Sequence, residues 1–319
     1  MKTAQVVDDY VALRRATGSR FITAAGVLTA FGRAVGPIDI RDVGQEAVQT
    51  FLTGSGPIRS SWHTKYYALV GLFRFAAQRG LVCTSPLPDR IPKRPAYAKP
   101  YIYSAEELRR ILEATEALDV PHPSSAFLAA IPALTFRTLI LLLYGAGLRL
   151  SEALTLTVDD VDLSESLLMV RNTKFFKTRR LPIGPKLSSA LRLYAGKRLA
   201  LVDRPPSATT FLLHRRGSAI SRQCAERYFR TIRHRLGIKR LDGAYFQPRL
   251  HDLRHAFAVH RVVAWYQQGA DVQLLLPKLS TYLGHVRLAD TQPYLSMTPE
   301  LLREASRRFE RYAQPEVRP

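Results

Sequence analysis

The sequence predicts a mainly α-helical chain with a small antiparallel β-sheet, divided into two domains. Three observations carry this reading. Residues 5–90 hold four helical patterns; a stretch with five prolines, residues 86–100, then breaks all periodicity; and residues 155–184 switch to strand-like alternation before helical spacing returns. At 319 residues the chain is too long for one small core and fits two. Its 46% hydrophobic and 9% aromatic content is that of a globular protein, not a disordered one.

The first domain, residues 1–90, is predicted to hold helices over 6–16, 21–35, 44–52 and 60–79, with turns at Gly36-Pro37 and Gly54-Ser55-Gly56-Pro57. In the last of these, Tyr66, Leu69, Val70, Phe73 and Ala77 recur at helical spacing and form one apolar stripe. Residues 91–100 read as a linker, basic and proline-rich. The second domain, residues 101–319, opens at Ser104-Ala105-Glu106-Glu107, a helix start with acids near the positive end of the helix dipole. The apolar stretch 126–148, interrupted by Pro132, Thr135 and Arg137, reads as a buried core helix and not a membrane span. After the loop Gly145-Ala146-Gly147, strands are expected over 156–158, 167–171 and 180–183, then a helix over 221–236. A final helix over 299–312 carries Leu301, Leu302, Ala305 and Phe309 on one stripe.

Charge narrows the function. Lys and Arg number 47 against 26 acids; residues 1–97 carry 13 against 6, or +7, which leaves +14 of the total +21 for the rest. Both halves are basic, which suits a phosphate polymer touching both better than a small acidic substrate, with solubility charge as the plain alternative. The helix over 221–236 sets Arg222, Arg227, Arg230, Arg233 and Arg235 among Tyr228 and Phe229, as a helix in or beside a DNA groove would. Two cysteines, Cys83 and Cys224, lack CxxC spacing and argue against a zinc or disulfide framework. The start of the chain has no signal-peptide core, so a cytoplasmic protein without membrane contact is expected.

Transfer at a phosphodiester needs a nucleophile, cations for the non-bridging oxygens and an acid for the leaving alkoxide. Guanidinium suits the second task, since its planar donors match two phosphate oxygens and it stays charged. In His251-Asp252-Leu253-Arg254-His255 the first histidine and the arginine share a helix face, so both can point at one phosphate. His285, in Leu283-Gly284-His285, adds a second imidazole; Tyr294, nine residues later, adds a phenol able to form a phosphotyrosine. Tyr282 reads as core and Tyr312 as part of the final helix. His63, His122, His214, His234, His255 and His260 read as structural or surface residues.

With these motifs in order, the chain resembles the tyrosine recombinase (phage integrase) family. Gly147-Leu148-Arg149-Leu150-Ser151-Glu152 is similar to that family's first arginine motif, residues 251–255 to its HxLRH box, and residues 283–285 with Tyr294 to its histidine and tyrosine boxes. The ordered set spans residues 149–294 and is specific where each box alone is not.

The resemblance implies a helical core-binding domain and a mixed α/β catalytic domain closing as a C-shaped clamp on double-stranded DNA. It implies that Tyr294 attacks the scissile phosphate to give a 3′-phosphotyrosine, that Arg149 and Arg254 hold the non-bridging oxygens, that His251 assists proton movement and that His285 hydrogen-bonds the phosphate. The general acid would be a lysine between the second and third strands: Lys174, with Lys177 as the alternative. Phe175-Phe176 stand where the family usually has glycine and a small polar residue, and Pro293 precedes the nucleophile. No metal or cofactor is implied, because the phosphotyrosine conserves the bond energy that religation uses. The final helix would dock on a neighbouring protomer, giving a homo-tetramer on paired sites, with accessory recombinases as further partners. Glu152 would orient a catalytic side chain or form a structural salt bridge. The alternatives are a type IB topoisomerase-like enzyme and an inactive DNA-binding regulator.

Overall fold

The computed structural model describes residues 1–55, 58, 60–94, 99–116, 130–171, 178–244, 246–285, 287, 291, 303, 306 and 307. It divides into two compact units, Met1–Tyr97 and Ala98–Pro319. The described residues are mostly helical, with one small antiparallel sheet, the fold class that the sequence predicts.

The first unit is a four-helix assembly of α1 (Thr3–Ala16), α2 (Ile22–Val35), α3 (Gln45–Thr53) and α4 (Ser60–Gln78). Its core joins Val6 of α1, Leu28 and Phe31 of α2, Val48 of α3 and Leu69, Leu72 and Phe73 of α4. The helical spacing of these apolar positions is what makes the four amphipathic segments pack. Phe21, just ahead of α2, sits in the left-handed region at φ 43°, its ring set edge-on against Tyr10 at 5.4 Å.

The second unit is built around α6 (Ala133–Gly145), which buries Phe136, Leu139, Ile140, Leu142 and Leu143 and packs against α5 (Ala105–Glu116), α7 (Leu150–Thr155), α8 (Pro185–Lys197) and α10 (Asp252–Gln267). α5 starts with a capping box: Glu107 N–H donates to Ser104 Oγ at 3.1 Å and Ser104 N–H to the Glu107 carboxylate at 2.8 Å. α9 (Arg222–Arg235) and α11 (Val272–Leu283, with Pro277 inside it) complete the helices of this unit that have full boundaries. The strands β1 (Val161–Asp162), β2 (Leu167–Val170) and β3 (Arg179–Pro182) pair antiparallel in that order, with Leu168 opposite Leu181 and Val170 opposite Arg179.

Three elements differ from expectation. Residues 156–158 form one antiparallel bridge, Thr157 opposite Thr210, and not a longer strand; Thr157 and Asp160 form a reciprocal cap, Thr157 N–H donating to Asp160 at 3.0 Å, and the chain turns there before β1. Helix α8 is additional, and it begins with Pro185 in its first turn, where a missing N–H costs nothing. α6 occupies only 133–145 of the apolar stretch, with Pro132 as its N-cap. Of the predicted helix over 299–312, residues 303, 306 and 307 are described, in helical backbone. Among the described residues no helix is long and apolar enough to cross a membrane.

Candidate active site

Two glycines let the site close. Gly147, between α6 and α7, has φ +60°, and a Cβ there would lie 2.6 Å from Cδ1 of Phe257 and 3.0 Å from a Leu283 methyl. Gly284 ends α11 at φ +67°, where Gly284 N–H donates to the Thr281 carbonyl and His285 N–H to the Ser280 carbonyl, each at 3.0 Å. A Cβ at 284 would lie 2.8 Å from Nη1 of Arg179. A side chain at 147 would press on Phe257 of α10 and Leu283 of α11, and one at 284 would displace the Arg179 guanidinium.

Glu152, on α7, is the centre of what closes there. It is 7% exposed. Its Oε1 accepts from Arg149 Nη1 at 2.7 Å and Arg179 Nη1 at 3.0 Å; its Oε2 accepts from Arg179 Nη2 at 2.8 Å and from Arg149 N–H at 3.0 Å. Arg254 Nη1 stands 3.8 Å from Oε2. Burial opposes ionisation of this carboxyl, but the hydrogen bond and charge of Arg179, and then Arg149, outweigh it and hold the pKa at about 2. Three guanidiniums against one carboxylate leave a net +2, a pocket of charge suited to an anion.

The same three arginines converge on the end of α11. Arg179 Nε donates to the carbonyl of Tyr282 at 3.1 Å, Arg254 Nη2 to that of Leu283 at 2.5 Å and Arg149 Nη2 to that of Gly284 at 2.9 Å. A helix end leaves such carbonyls without intrahelical partners and carries partial negative charge. Three consecutive carbonyls therefore hold three cations, and His285 follows directly in the chain. Arg254, 1% exposed, also donates to the Gly147 carbonyl at 2.6 Å, which ties α10 to the start of α7.

His251 stands at the N-terminal boundary of α10, its ring edge-to-face with that of His255 at 4.9 Å. Burial, then the charges of His255 and Arg254, push its pKa down to about 4. His255 is lowered to about 4 by burial and by Arg254 and Arg249. His251 is therefore neutral at pH 7 and able to take a proton. The loop before it is set by Asp252, which accepts from Arg249 N–H at 2.9 Å, while Tyr103 Oη–H donates to the Arg249 carbonyl at 3.1 Å. His285 Nδ1 lies 2.7 Å from Oγ1 of Thr291, which is fully buried.

A cavity of about 410 Å³ opens beside His251, lined by Arg222, Arg230, Arg233, Arg249 and Phe246, with Glu226 as its acid. α9 supplies one wall. Its arginines do not interleave with aromatics on one surface, as its sequence suggests: Tyr228 and Phe229 point into the core, where Tyr228 Oη accepts from Ile131 N–H at 2.7 Å, and Arg222, Arg227, Arg230 and Arg235 are exposed. The 3.6-residue repeat separates the two sets.

The structure thus brings Arg149, Arg254 and His285 together, with His251 on the helix of Arg254. Lys174, Lys177 and Tyr294 lie outside the described residues. Arg179 is the residue of the cluster that stands out only in three dimensions. Glu152 is visible as the acid three residues after Arg149, but its grip on three arginines is not. Arg179 carries no sequence signal that sets it apart from Arg180. Strand parity does: Arg179 shares the inward face of β3 with Leu181, and Arg180 is exposed.

The chain matches the phage integrase family over residues 103–300. A Sinorhizobium fredii (strain NGR234) protein described as an integrase/recombinase is 32% identical over 308 residues, covering 96% of both chains. The tyrosine recombinase XerD of Corynebacterium glutamicum is 30% identical over 282 residues, covering 86% of this chain and 85% of its own. Among solved structures, the Tn1549 transposon integrase in complex with transposon right end DNA superposes with a TM-score of 0.65 at 15% identity, over 98% of this chain and 100% of that one. A lambda integrase dimer bound to a core site gives 0.65 at 17%, over 94% and 97%. At these identities the structural likeness speaks for the fold, and the sequence matches speak for the family. The chain belongs to the phage integrase family, the tyrosine recombinases.

Proposed function

We propose that this protein cuts and rejoins duplex DNA at specific sites, with Tyr294 as nucleophile, in the integration, excision or transposition of a mobile element. The observation that carries the reading is the convergence of Arg149 and Arg254 on adjacent carbonyls at the end of α11, directly before His285. That cluster is a net cation, and its arginines are oriented before any substrate arrives. Preorganised donors of this kind stabilise charge that develops on a phosphate without reorganisation during the reaction.

In the proposed step the Tyr294 oxygen attacks phosphorus, the bond to the 5′-oxygen breaks, and a 3′-phosphotyrosine forms. His251, neutral at pH 7, accepts the phenol proton. Arg149 and Arg254 hold the non-bridging oxygens and His285 donates a hydrogen bond to one of them. Lys174, or Lys177 in its place, gives a proton to the leaving 5′-oxygen. Religation is the reverse, with a 5′-hydroxyl from the partner strand as nucleophile. The helical first unit serves as a core-binding domain, with residues 91–100 as linker, and the basic surfaces of both units follow the phosphate backbone. A tetramer on paired sites, joined through the final helix, with or without accessory recombinases, completes the reading, which places the protein in the cytoplasm.

The test is to incubate the protein with nicked duplexes tiling the DNA that flanks its gene and to look for an adduct that survives denaturation. Wild type should trap on a few sites and Tyr294→Phe on none. An adduct that persists in Tyr294→Phe defeats the assignment of the nucleophile. Trapping on every duplex regardless of sequence would point to a topoisomerase, and binding without any adduct to a regulator.

A further inference from the structure

We infer that Thr291 is a positioning residue: its hydroxyl donates to Nδ1 of His285, fixes the proton of the neutral imidazole on Nε2, and so makes His285 a hydrogen-bond donor toward the bound phosphate. The inference rests on the proposed DNA-cleaving function of the site. Its own ground is the 2.7 Å contact between Nδ1 and Thr291 Oγ1 and the complete burial of Thr291.

Direction follows from the surroundings. A hydroxyl can donate to Nδ1 or accept from it, so the contact alone leaves two tautomers and a protonated ring. A protonated ring would add a positive charge to the residue that directly follows the carbonyls bound by Arg149, Arg179 and Arg254, whose shared counter-charge is the single carboxylate of Glu152. A neutral ring with its proton on Nδ1 would turn the lone pair of Nε2 toward phosphate oxygens, which are acceptors themselves. The remaining state has Thr291 Oγ1–H donating to Nδ1 and the ring proton on Nε2. In histidine sites generally, the partner of one ring nitrogen decides what the other can do.

The backbone places the ring before Thr291 acts on it. His285 N–H is already committed to the Ser280 carbonyl, so the residue leaves the helix in a set direction and only the ring and its tautomer remain to be fixed. Thr291, six residues later in the sequence, supplies that. It also stands three residues before Tyr294 in the sequence.

The test compares Thr291→Val, close in shape but without the hydroxyl, with Thr291→Ser, which keeps it. On whichever nicked duplex from the flanking DNA traps wild type best, Thr291→Val should form adduct roughly 10- to 100-fold more slowly, the range typical when a histidine loses its orienting partner. Affinity for the same duplex should stay within about 2-fold, because the phosphate contacts that dominate binding remain. Thr291→Ser should stay within about 3-fold of wild type in rate. In a His285→Gln background, Thr291→Val should produce no further loss, since the hydroxyl acts through the ring. Equal rates for Thr291→Val and wild type, or Thr291→Ser as slow as Thr291→Val, would overturn the inference. A readout independent of folding of the valine variant is the tautomer itself. Nitrogen-15 spectra of the full-length wild-type protein, with the His285 signals assigned from their loss in His285→Gln, should show the proton on Nε2. A proton on Nδ1, or on both nitrogens, at pH 7.5 sinks the proposal. Absence of any wild-type adduct would instead defeat the proposed function, and the spectrum would still decide the tautomer.

Discussion

The two units carry positive charge at nearly equal density, +7 over residues 1–97 and +14 over the rest, but they place it differently. Among the described residues of the first unit, the buried polar side chains are Thr3 and His63, and its core is apolar. The second unit buries Glu152, Asp160, Arg198, Asp252, Arg254 and His255. A buried charge is tolerated only where partners replace the lost water, and here they do. Arg198, for example, donates to the Phe211 and Thr210 carbonyls at 2.8 and 2.6 Å. In the first unit, charge and fold are separable. In the second, buried charges are bonded into the fold, and one such set, Glu152 with its three arginines, lies in the candidate active site.

Glu152→Ala should therefore have the largest effect on stability. It removes the counter-charge from Arg149 and Arg179 and leaves both beside α7 without a carboxylate, which should cost about 3–5 kcal/mol. Asp8→Ala, at an exposed acid of α1, should stay within about 0.5 kcal/mol. Urea unfolding of the two variants measures the contrast. Coincident midpoints would show that the buried network is no more tied to the fold than a surface acid is.

Acid should discriminate between the units next. His251 and His255 are held at about 4 in the folded second unit, and unfolding returns them to about 6.5, where they take up protons. Their contribution is complete above pH 6.5 and drains as the pH falls from 6.5 to 4. The loss should be on the order of 3 kcal/mol for each ring. Glu152, with an ordinary value of 4.5 and a folded value of about 2, adds a second step: its contribution is complete above 4.5 and is lost as the pH falls toward 2. Amide exchange in α10 at pH 7.5 and pH 5 reads the first step directly. Unchanged protection in α10 across that interval would mean that the two rings are not buried neutral.

Much of this arrangement is legible in the sequence, and what is hidden has a physical cause. The four helices of the first unit show through because each has one apolar face at helical spacing. α8 is hidden because its buried residues, Leu187, Ser188, Leu191 and Tyr194, make a narrow stripe; its proline start is the visible cue. The strand expected over 156–158 is cut to one bridge, Thr157 to Thr210, because Thr157 and Asp160 cap each other and turn the chain from residue 158. Arg149, Arg254 and His285 are legible as motifs, and the structure gathers them. Arg179 is not, because its role depends on pairing opposite Val170, and register is a property of two strands.

Gly284→Ala probes the junction where that register matters. The position has φ +67°, and the new methyl would meet the Arg179 guanidinium 2.8 Å away. Backbone strain of this kind costs about 1–3 kcal/mol. Because the guanidinium must shift, its bonds to Glu152 and the Tyr282 carbonyl weaken with it, so adduct formation should slow by more than the loss of stability explains. Unfolding and trapping measured on one preparation separate the two effects; a full cleavage rate in a destabilised variant would detach Arg179 from the chemistry.

The smallest effect on stability should come where the units are alike, on their exposed arginines. Arg230→Ala, at the cavity beside His251, and Arg74→Ala, on the exposed side of α4, should each change stability by less than about 0.5 kcal/mol. Each that contacts a phosphate should lower the slope of log affinity against log salt by about 0.9, the value for one neutralised phosphate on duplex DNA. A slope reduced by Arg230→Ala but not by Arg74→Ala would confine phosphate contact to the second unit and leave the charge of α4 a matter of solubility. Equal reductions would mean that both units lie on the same backbone, so that a difference in where charge is buried coexists with a shared use of charge at the surface.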